Sequence, residues 1–426
     1  MMIAWLFGAF AVLVAANVAV GIALLMAVVI AMAATGTDLP LAVIAQRMFA
    51  GTGSFALIAI PAFLLAGELM ARGAMARRMV EFAATLVGHL RGGLAVVGVL
   101  STMLFSGVSG SSVANTAAIG SVLVPQMRRR GYDSGFAGAV VANAGVLGSV
   151  FPPSIPMVLY GIAAGVSISS LFVAGIVPGI LMVVLLIAVG YWQSVRAGYP
   201  AGERASVADI GRAFGRAFWA LMTPVILVGG IVSGVLTVTE AAVATVVYAL
   251  LVELLVYREL KPRDLPTVLT RAVTSTGIVM LIIATSTLFG WIMTVEQIPQ
   301  AIAGFLLGLT STVWVQLLLI NILLLVIGTF LDVAPGIIIA VPILVPLAEA
   351  LGIDPVHFGV VVVVNLLIGL VTPPVAPTLV VGASIAKVSL DVITAASWRF
   401  FAALLLSLAL ITYVPGLSTW LPGLLG

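Results

Sequence analysis

Cysteine is absent from the 426 residues. That excludes a disulfide framework, a thiolate metal site and a cysteine nucleophile, and it leaves the redox compartment unread. Charge is nearly as scarce. Asp, Glu, Lys and Arg make up 8% of the chain, against roughly 25% in soluble proteins. Hydrophobic residues make up 62%, and the mean hydropathy is +1.30. Too little polar surface exists to cover such a chain in water. A soluble enzyme, a nucleic-acid binder and a disordered chain are thereby excluded. An outer-membrane barrel is excluded too, because its strands alternate apolar and polar residues. No HExxH, G-x-x-x-x-G-K-[ST] or nucleophile elbow occurs, which argues against an intramembrane protease and an ATP-driven pump. The class that remains is an all-α polytopic membrane protein.

A span needs about 20 apolar residues. Ordinary spans are expected near 2–16, 18–36, 53–71, 134–160, 168–193, 217–236, 239–257, 270–293, 357–386 and 397–420. The first is short and closes near Asn17. The first basic residue is Arg47. The apolar N-terminus therefore lacks the positive n-region of a cleavable signal and is expected to remain as membrane helix. Two apolar stretches, 92–127 and 312–348, do not behave as single spans.

Basic residues orient the chain. Arg72, Arg77, Arg78 and Arg91 precede the 92–127 stretch, and Arg128, Arg129 and Arg130 follow it. Both its ends then lie on one side, as in a re-entrant hairpin. Arg196, Arg204, Arg212 and Arg216 fill the polar loop at 194–216, the expected cytoplasmic linker. From Ala272 to Ala386 there is no Lys or Arg, and Glu296, Glu349 and Asp354 flank the 312–348 stretch. That stretch is expected to be a second hairpin entering from the opposite side. On this map 17 of the 18 Lys and Arg are cytoplasmic, Arg47 is the exception, and both termini are periplasmic. The net charge of +3 thus needs no acidic partner. His89 and His357, the only histidines, fall on opposite sides and form no joint metal site. Trp5, Trp192, Trp219, Trp291, Trp314, Trp398 and Trp420 all fall near segment ends, where an interfacial belt places indoles.

An offset of 221 residues reveals an internal repeat. Gly107 matches Gly328; Leu123-Val124-Pro125 matches Leu344-Val345-Pro346; Gly131 and Asp133 match Gly352 and Asp354. Gly148, Pro152, Pro153, Pro156 and Gly161 match Gly369, Pro373, Pro374, Pro377 and Gly382. Prolines and glycines at one fixed offset carry weight because they control backbone geometry. The copies are expected at 1–193 and 217–426. Five spans plus a hairpin is an odd number of crossings, which inverts the second copy. Inverted repeats are a common secondary-transporter plan, with the site near mid-membrane.

Four segments carry the chemistry. The first is the tip Ser106-Gly107-Val108-Ser109-Gly110-Ser111-Ser112, followed by Asn115 and Thr116. The second is Phe151-Pro152-Pro153-Ser154-Ile155-Pro156, inside the 134–160 span. The third is the tip Gly328-Thr329-Phe330-Leu331-Asp332, with Pro335 and Gly336. The fourth is Thr372-Pro373-Pro374-Val375-Ala376-Pro377, inside the 357–386 span. Clustered prolines remove donors and break the helix. Freed backbone groups at membrane depth must be buried in protein or line a cavity. Carbonyls and hydroxyls are hard ligands suited to a small cation such as Na⁺. Half-helix N-termini direct partial positive charge at an anion. The expectation is an ion-coupled carrier of an anionic solute; the plainer account is proline kinks and small-residue packing.

Charged and polar residues in the membrane divide similarly. Asp332 is read as a cation-site residue, its alternative being a cap on the hairpin's own helix. Capping or pairing is the reading for Glu68 and Glu240. Arg128-Arg129-Arg130 reads as a cytoplasmic anchor. Helix–helix hydrogen bonding is expected of Asn143 and Asn365.

The Gly-x-Ser-Gly-Ser-Ser tip, Gly131-Tyr132 and Pro152-Pro153-Ser154-Ile155-Pro156 resemble the large membrane subunit of tripartite ATP-independent periplasmic (TRAP) transporters. So do Ile60-Pro61-Ala62-Phe63-Leu64-Leu65-Ala66-Gly67, Gly328-Thr329-Phe330-Leu331-Asp332, Gly352-Ile353-Asp354, His357-Phe358-Gly359 and Thr372-Pro373-Pro374. The resemblance implies import of an organic acid, such as a C4-dicarboxylate or sialic acid, across the bacterial inner membrane. It implies Na⁺ coupling without ATP, a periplasmic solute-binding protein and a separate small membrane subunit of about four helices. An elevator motion of hairpins and broken helices against a static scaffold is implied as well. One sodium site would use Ser109, Gly110, Ser111, Ser112 and Asn115 with Pro152-Pro153-Ser154. Another would use Gly328, Thr329 and Asp332 with Thr372-Pro373-Pro374. The family often has glycine where this chain has Ala376. The alternatives are a carrier of the same architecture that works alone, an ion channel and, most remotely, a membrane enzyme.

Overall fold

The computed structural model describes residues 1–16, 18–37, 40–310 and 312–425; Asn17, the expected end of the first span, lies outside them. Among the described residues the regular elements are helical, apart from an isolated antiparallel bridge between Arg91 and Ala201. The bilayer explains this, since a helix satisfies its backbone polar groups internally where no water can.

Helices α1 (Met2–Ala15) and α2 (Val20–Thr35) pack on each other. A short helix that is not among the expected spans follows, α3 (Leu41–Thr52), and then a 3₁₀ turn leads into α4 (Ala59–Arg72). A second unexpected helix is α5 (Met75–Val87). Its buried Met75, Ala76, Met79, Val80 and Ala83 form one stripe, so it is amphipathic rather than apolar all round. Helices α6 (Gly93–Ser109) and α7 (Ser112–Arg129) form the first hairpin. Next come α8 (Ser134–Gly145), a 3₁₀ turn at Val146–Ser149, and α9 (Ile155–Ala164). The 168–193 span is divided at Gly175 into α10 (Ile168–Ala174) and α11 (Ile176–Arg196).

The second half opens with α12 (Val207–Val232). It starts ten residues before the expected 217, because Ser206 and Asp209 form a capping box there that satisfies the first free amides. The polar 194–216 stretch is therefore helical at both ends. Helix α13 (Val238–Leu251) continues as a π-helical turn over Val252–Tyr257. Helices α14 (Leu265–Val295) and α15 (Ile298–Leu309) precede the second hairpin, α16 (Val313–Phe330) and α17 (Val333–Ala350). The second broken pair is α18 (Pro355–Gly369) and α19 (Pro377–Ala386). The chain ends in α20 (Leu390–Tyr413) and α21 (Gly416–Leu425), parted before Pro415.

Among the described residues, eight helical segments are long and apolar enough to cross a membrane, including the two arms of the second hairpin. The halves of the broken helices fall short of that length because they are broken. Adding 221 to the bounds of α6, α7 and α8 gives 314–330, 333–350 and 355–366, which overlie α16, α17 and α18. The same shift carries α9 to 376–385, over α19, and α5 to 296–308, over α15. The repeated sequence thus folds into repeated elements. The two copies interlock: α9 packs on α17, and α19 packs on α7 and α8. A second group, α2, α3, α4 and α12–α14, is knit by α4 on α13, α12 on α13 and α14 on α2, α3 and α4.

The π-helical turn faces Glu253 inward, where it is fully buried. Its carboxylate accepts from Ala74 N (2.9 Å) and Met75 N (3.0 Å), the free amides that open α5. A Cβ at Gly73 would collide with that carboxylate. Nearby, Arg72 pairs with Asp264 (3.6 Å), and Arg77 and Arg78 both pair with Glu259. The basic 72–78 segment therefore also ties α5 to the loop after α13. Capping is the role of Glu240, which forms a capping box with Thr237. Trp5, Trp192, Trp219, Trp314, Trp398 and Trp420 are exposed, as an indole belt against lipid headgroups requires.

Candidate functional site

The first tip closes at Gly110, whose φ of +59° suits glycine, and Ser111 caps α7 by accepting from Ala114 N at 3.4 Å. Asn115, fully buried, staples the tip. Its Nδ2 donates to Ser106 Oγ at 3.0 Å, and Ser109 Oγ donates to its Oδ1. The first break lies against this tip. Ser149 Oγ donates to Gly110 O (2.9 Å), and Ser112 Oγ reaches Ser149 Oγ (3.2 Å). Ser154 Oγ donates to Ser149 O and accepts from Met157 N (3.2 Å), capping α9. A Cβ on Gly110 would stand 3.1 Å from Pro153 O. Pro152, Pro153 and Ser154 are buried. Every residue predicted for this half-site is thus brought together or adjoins those that are. The tip also meets the second helix group: a Cβ at Gly67 of α4 would lie 3.1 Å from Ser109 Cα, and one at Gly107 2.5 Å from Pro224 Cβ of α12.

The second half-site is built on the same plan but sits differently. Gly328 lies against the end of α18, where a Cβ would meet Leu366 O at 2.9 Å; reciprocally, a Cβ at Gly369 would collide with Gly328 main chain. Thr329 Oγ1 donates to Leu325 O (2.7 Å). Across the break, Thr378 Oγ1 donates to Leu370 O (2.8 Å), while Thr372 Oγ1 donates to Ile368 O (2.8 Å). Ala376 is buried and adopts φ +39°, a left-handed conformation that disfavours a Cβ. The chain keeps this glycine-like turn with alanine in place. Asp332 is exposed and caps α17 by accepting from Val333 N at 2.7 Å. Pro373, Pro374 and Val375 are exposed, unlike Pro152 and Pro153. Pro374 and Val375 share an apolar cavity of about 660 Å³ with Phe330, Leu331 and Phe7 and Phe10 of α1. Both proline pairs carry a cis peptide bond.

Four groups escaped the sequence reading. Ser149 and Thr378 bridge the breaks, but each is a lone hydroxyl in an apolar span and carries no motif. Glu253 depends on the π-helical turn. Asn321 accepts from Asn365 Nδ2 (2.7 Å) and donates to Thr412 Oγ1 (3.1 Å), which makes Asn365 part of a helix–helix network. Asn143 likewise donates to Ser397 Oγ (3.0 Å). Arg128, Arg129 and Arg130 are exposed beyond the tip region.

Chemically, the first half-site gathers oxygen ligands at the N-termini of two helices, α7 and α9. There, Ser112, Ser149 and Ser154 hydroxyls stand among the Gly110, Ser149 and Pro153 carbonyls. Such a donor set suits a hard monovalent or divalent cation rather than a soft metal. Nearby partial positive charge from the helix ends suits an anion.

The family model for the tripartite ATP-independent periplasmic transporter, DctM component, matches residues 7–417. The C4-dicarboxylate TRAP transporter large permease protein of Rhodobacter capsulatus is 38% identical over 92% of both chains. The sialic acid TRAP transporter large permease protein of Vibrio cholerae is 37% identical over 89% of both. In fold, the chain is similar to the Alcanivorax borkumensis YdaH transporter, described as having an unusual topology, with a TM-score of 0.58 at 16% identity, covering 89% of this chain and 88% of that one. Hairpin tips seated on broken helices, in a sequence matched nearly end to end, make this chain a member of the DctM family of TRAP transporter large permeases.

Proposed function

We propose that this permease imports a small organic acid across the inner membrane by secondary active transport coupled to Na⁺. The observation that carries the reading is the first half-site, where tip and break exchange hydrogen bonds through buried oxygens. A cation held there is bound by both segments and can fasten one to the other, which is how ion occupancy is coupled to a tip's position. Helices α6–α11 and α16–α20 are the moving body in this reading, and α1–α4 with α12–α14 the scaffold. The amphipathic α5 and its counterpart α15 join them. A periplasmic binding protein delivers the solute, and a separate small membrane subunit of about four helices completes the scaffold. Relatives whose names specify C4-dicarboxylate and sialic acid support an acid as cargo. By the positive-inside rule, the distribution of basic residues supports an orientation with both termini in the periplasm.

Reconstitution tests this. Uptake into proteoliposomes is expected only with the small subunit, the binding protein and an inward Na⁺ gradient together. Full uptake by the permease alone would reject the tripartite reading, and full uptake in K⁺ would reject the coupling ion. Asp332→Asn sharpens the test. Asn caps helices as well as Asp, so the variant keeps the bond to Val333 N and removes the charge. We expect normal insertion and weakened sodium activation. Unchanged sodium activation would leave Asp332 a cap only.

A further inference from the structure

Arg47 is the one Lys or Arg in residues 1–71, and residues 272–386 contain none. On the orientation read from the basic residues, Arg47 is a solitary cation on the non-cytoplasmic side, which runs against the orientation rule and calls for a local cause. Its guanidinium stands 4.7 Å over the Trp291 ring of α14, which fixes an otherwise mobile cation in place. One helical turn further along the same face of α3, Ala50 and Gly51 border a cavity of about 310 Å³. The cavity lies between α3 and α14 on one side and α9 and α17 on the other. It is therefore walled by both the scaffold and the moving body.

The polar groups of this cavity are hydroxyls: Ser54, Ser286, Thr287 and Thr294, with no Asp or Glu among the described lining residues. Thr287 and Thr294 already donate to the carbonyls of Ile283 and Gly290. Ser286 differs. It is completely buried, and its Oγ has no hydrogen-bond partner among the described residues. A buried hydroxyl left unpaired is unfavourable, so Ser286 holds a spare donor in the cavity wall. A free donor, a fixed neighbouring cation and the absence of carboxylates together describe a receptor for an anion.

We infer that this cavity is the outward-side vestibule that first receives the transported anion, with Arg47 drawing it in and Ser286 and Ser54 donating to its carboxylate. The inference rests on the permease reading above and adds where the solute waits before reaching the tips. It assigns no role to the sodium-linked oxygens, so it can fail while that reading stands.

The chain has no cysteine, so Ser286→Cys creates a single reactive thiol in the full-length protein. The anionic sulfonatoethyl and the cationic trimethylammonioethyl methanethiosulfonates are the probes, applied from the outside to vesicles holding the permease with its small subunit. With each rate divided by that reagent's rate with a free thiol in solution, the anionic reagent is expected to be favoured about tenfold, the scale of electrostatic focusing in a charged cleft. Arg47→Gln should bring the ratio to near one, and Arg47→Lys should keep most of it. Ser54→Cys, at the rim, is the second reporter should Ser286→Cys fail to fold. Absence of outside labelling at both positions, or a charge preference that survives Arg47→Gln, would overturn the inference. Repeating the rates in vesicles of purely zwitterionic lipid separates the sources of anion. A preference lost there would make Arg47 a headgroup anchor and sink the vestibule; a preference kept there supports it.

Discussion

Gly369→Ala is expected to destabilise the permease by about 3 kcal/mol, at or beyond the upper end of ordinary overpacking, and to abolish uptake. A Cβ at Gly369 would collide with the carbonyl group of Gly328 and lie 2.6 Å from its Cα. Both partners are main chain, so neither can rotate away as a side chain would. The second tip must therefore lift off α18, and the second half-site opens. Gly277→Ala is the matched control. Gly277 lies within α14 with nothing within 4 Å of a new Cβ. There, helix propensity favours alanine by about 0.5–1 kcal/mol. Thermal unfolding in detergent should show the two substitutions moving in opposite directions. Equal effects would mean that the tip does not rest on α18.

Asn115→Leu is the second large effect. Leucine fills nearly the same space but can neither donate to Ser106 Oγ nor accept from Ser109 Oγ. Ser106 keeps its bond to Thr102 O, whereas Ser109 is left buried without a close acceptor. The expected loss is about 2 kcal/mol for the unpaired group and the broken bonds. Because Asn115 holds both arms of the tip, the Na⁺ concentration for half-maximal uptake should rise tenfold or more, equivalent to about 1.4 kcal/mol. Asn143→Ala provides the contrast. Asn143 is equally buried but bonds Ser397 on α20, so its loss should lower stability and leave sodium activation unchanged. If both variants shift sodium activation alike, the tip network is not specific to the ion.

Proline and glycine made much of this architecture legible. Pro152-Pro153 and Pro373-Pro374 fall in the gaps between α8 and α9 and between α18 and α19. The tips turn at Gly110 and at Leu331-Asp332, inside the expected segments. Backbone constraints of this kind act locally, so sequence carries them. Helix α5 was not legible as a helix, because its charged residues Arg77, Arg78 and Glu81 also serve as an orientation signal. The unequal burial of the two breaks was not legible either. Pro153 and Pro374 are equivalent by offset, yet one is buried and the other faces the cavity beside α1. Their surroundings come from different helices, and offset symmetry says nothing about neighbours. Asp332 shows the same limit: sequence left open both a cap and an ion ligand, and the observed bond to Val333 N is compatible with either role.

The central claim is that oxygens exposed where backbone breaks meet hairpin tips bind the coupling cation. The most direct measurement is thermal unfolding of the purified permease in NaCl and in choline chloride at equal ionic strength. A cation bound only by the folded state stabilises it by about 2.7 kcal/mol at one hundred times its dissociation constant. The account predicts a saturable rise in midpoint with Na⁺, reduced when Ser149 or Thr378 loses its hydroxyl. Superimposable curves in the two salts would contradict it.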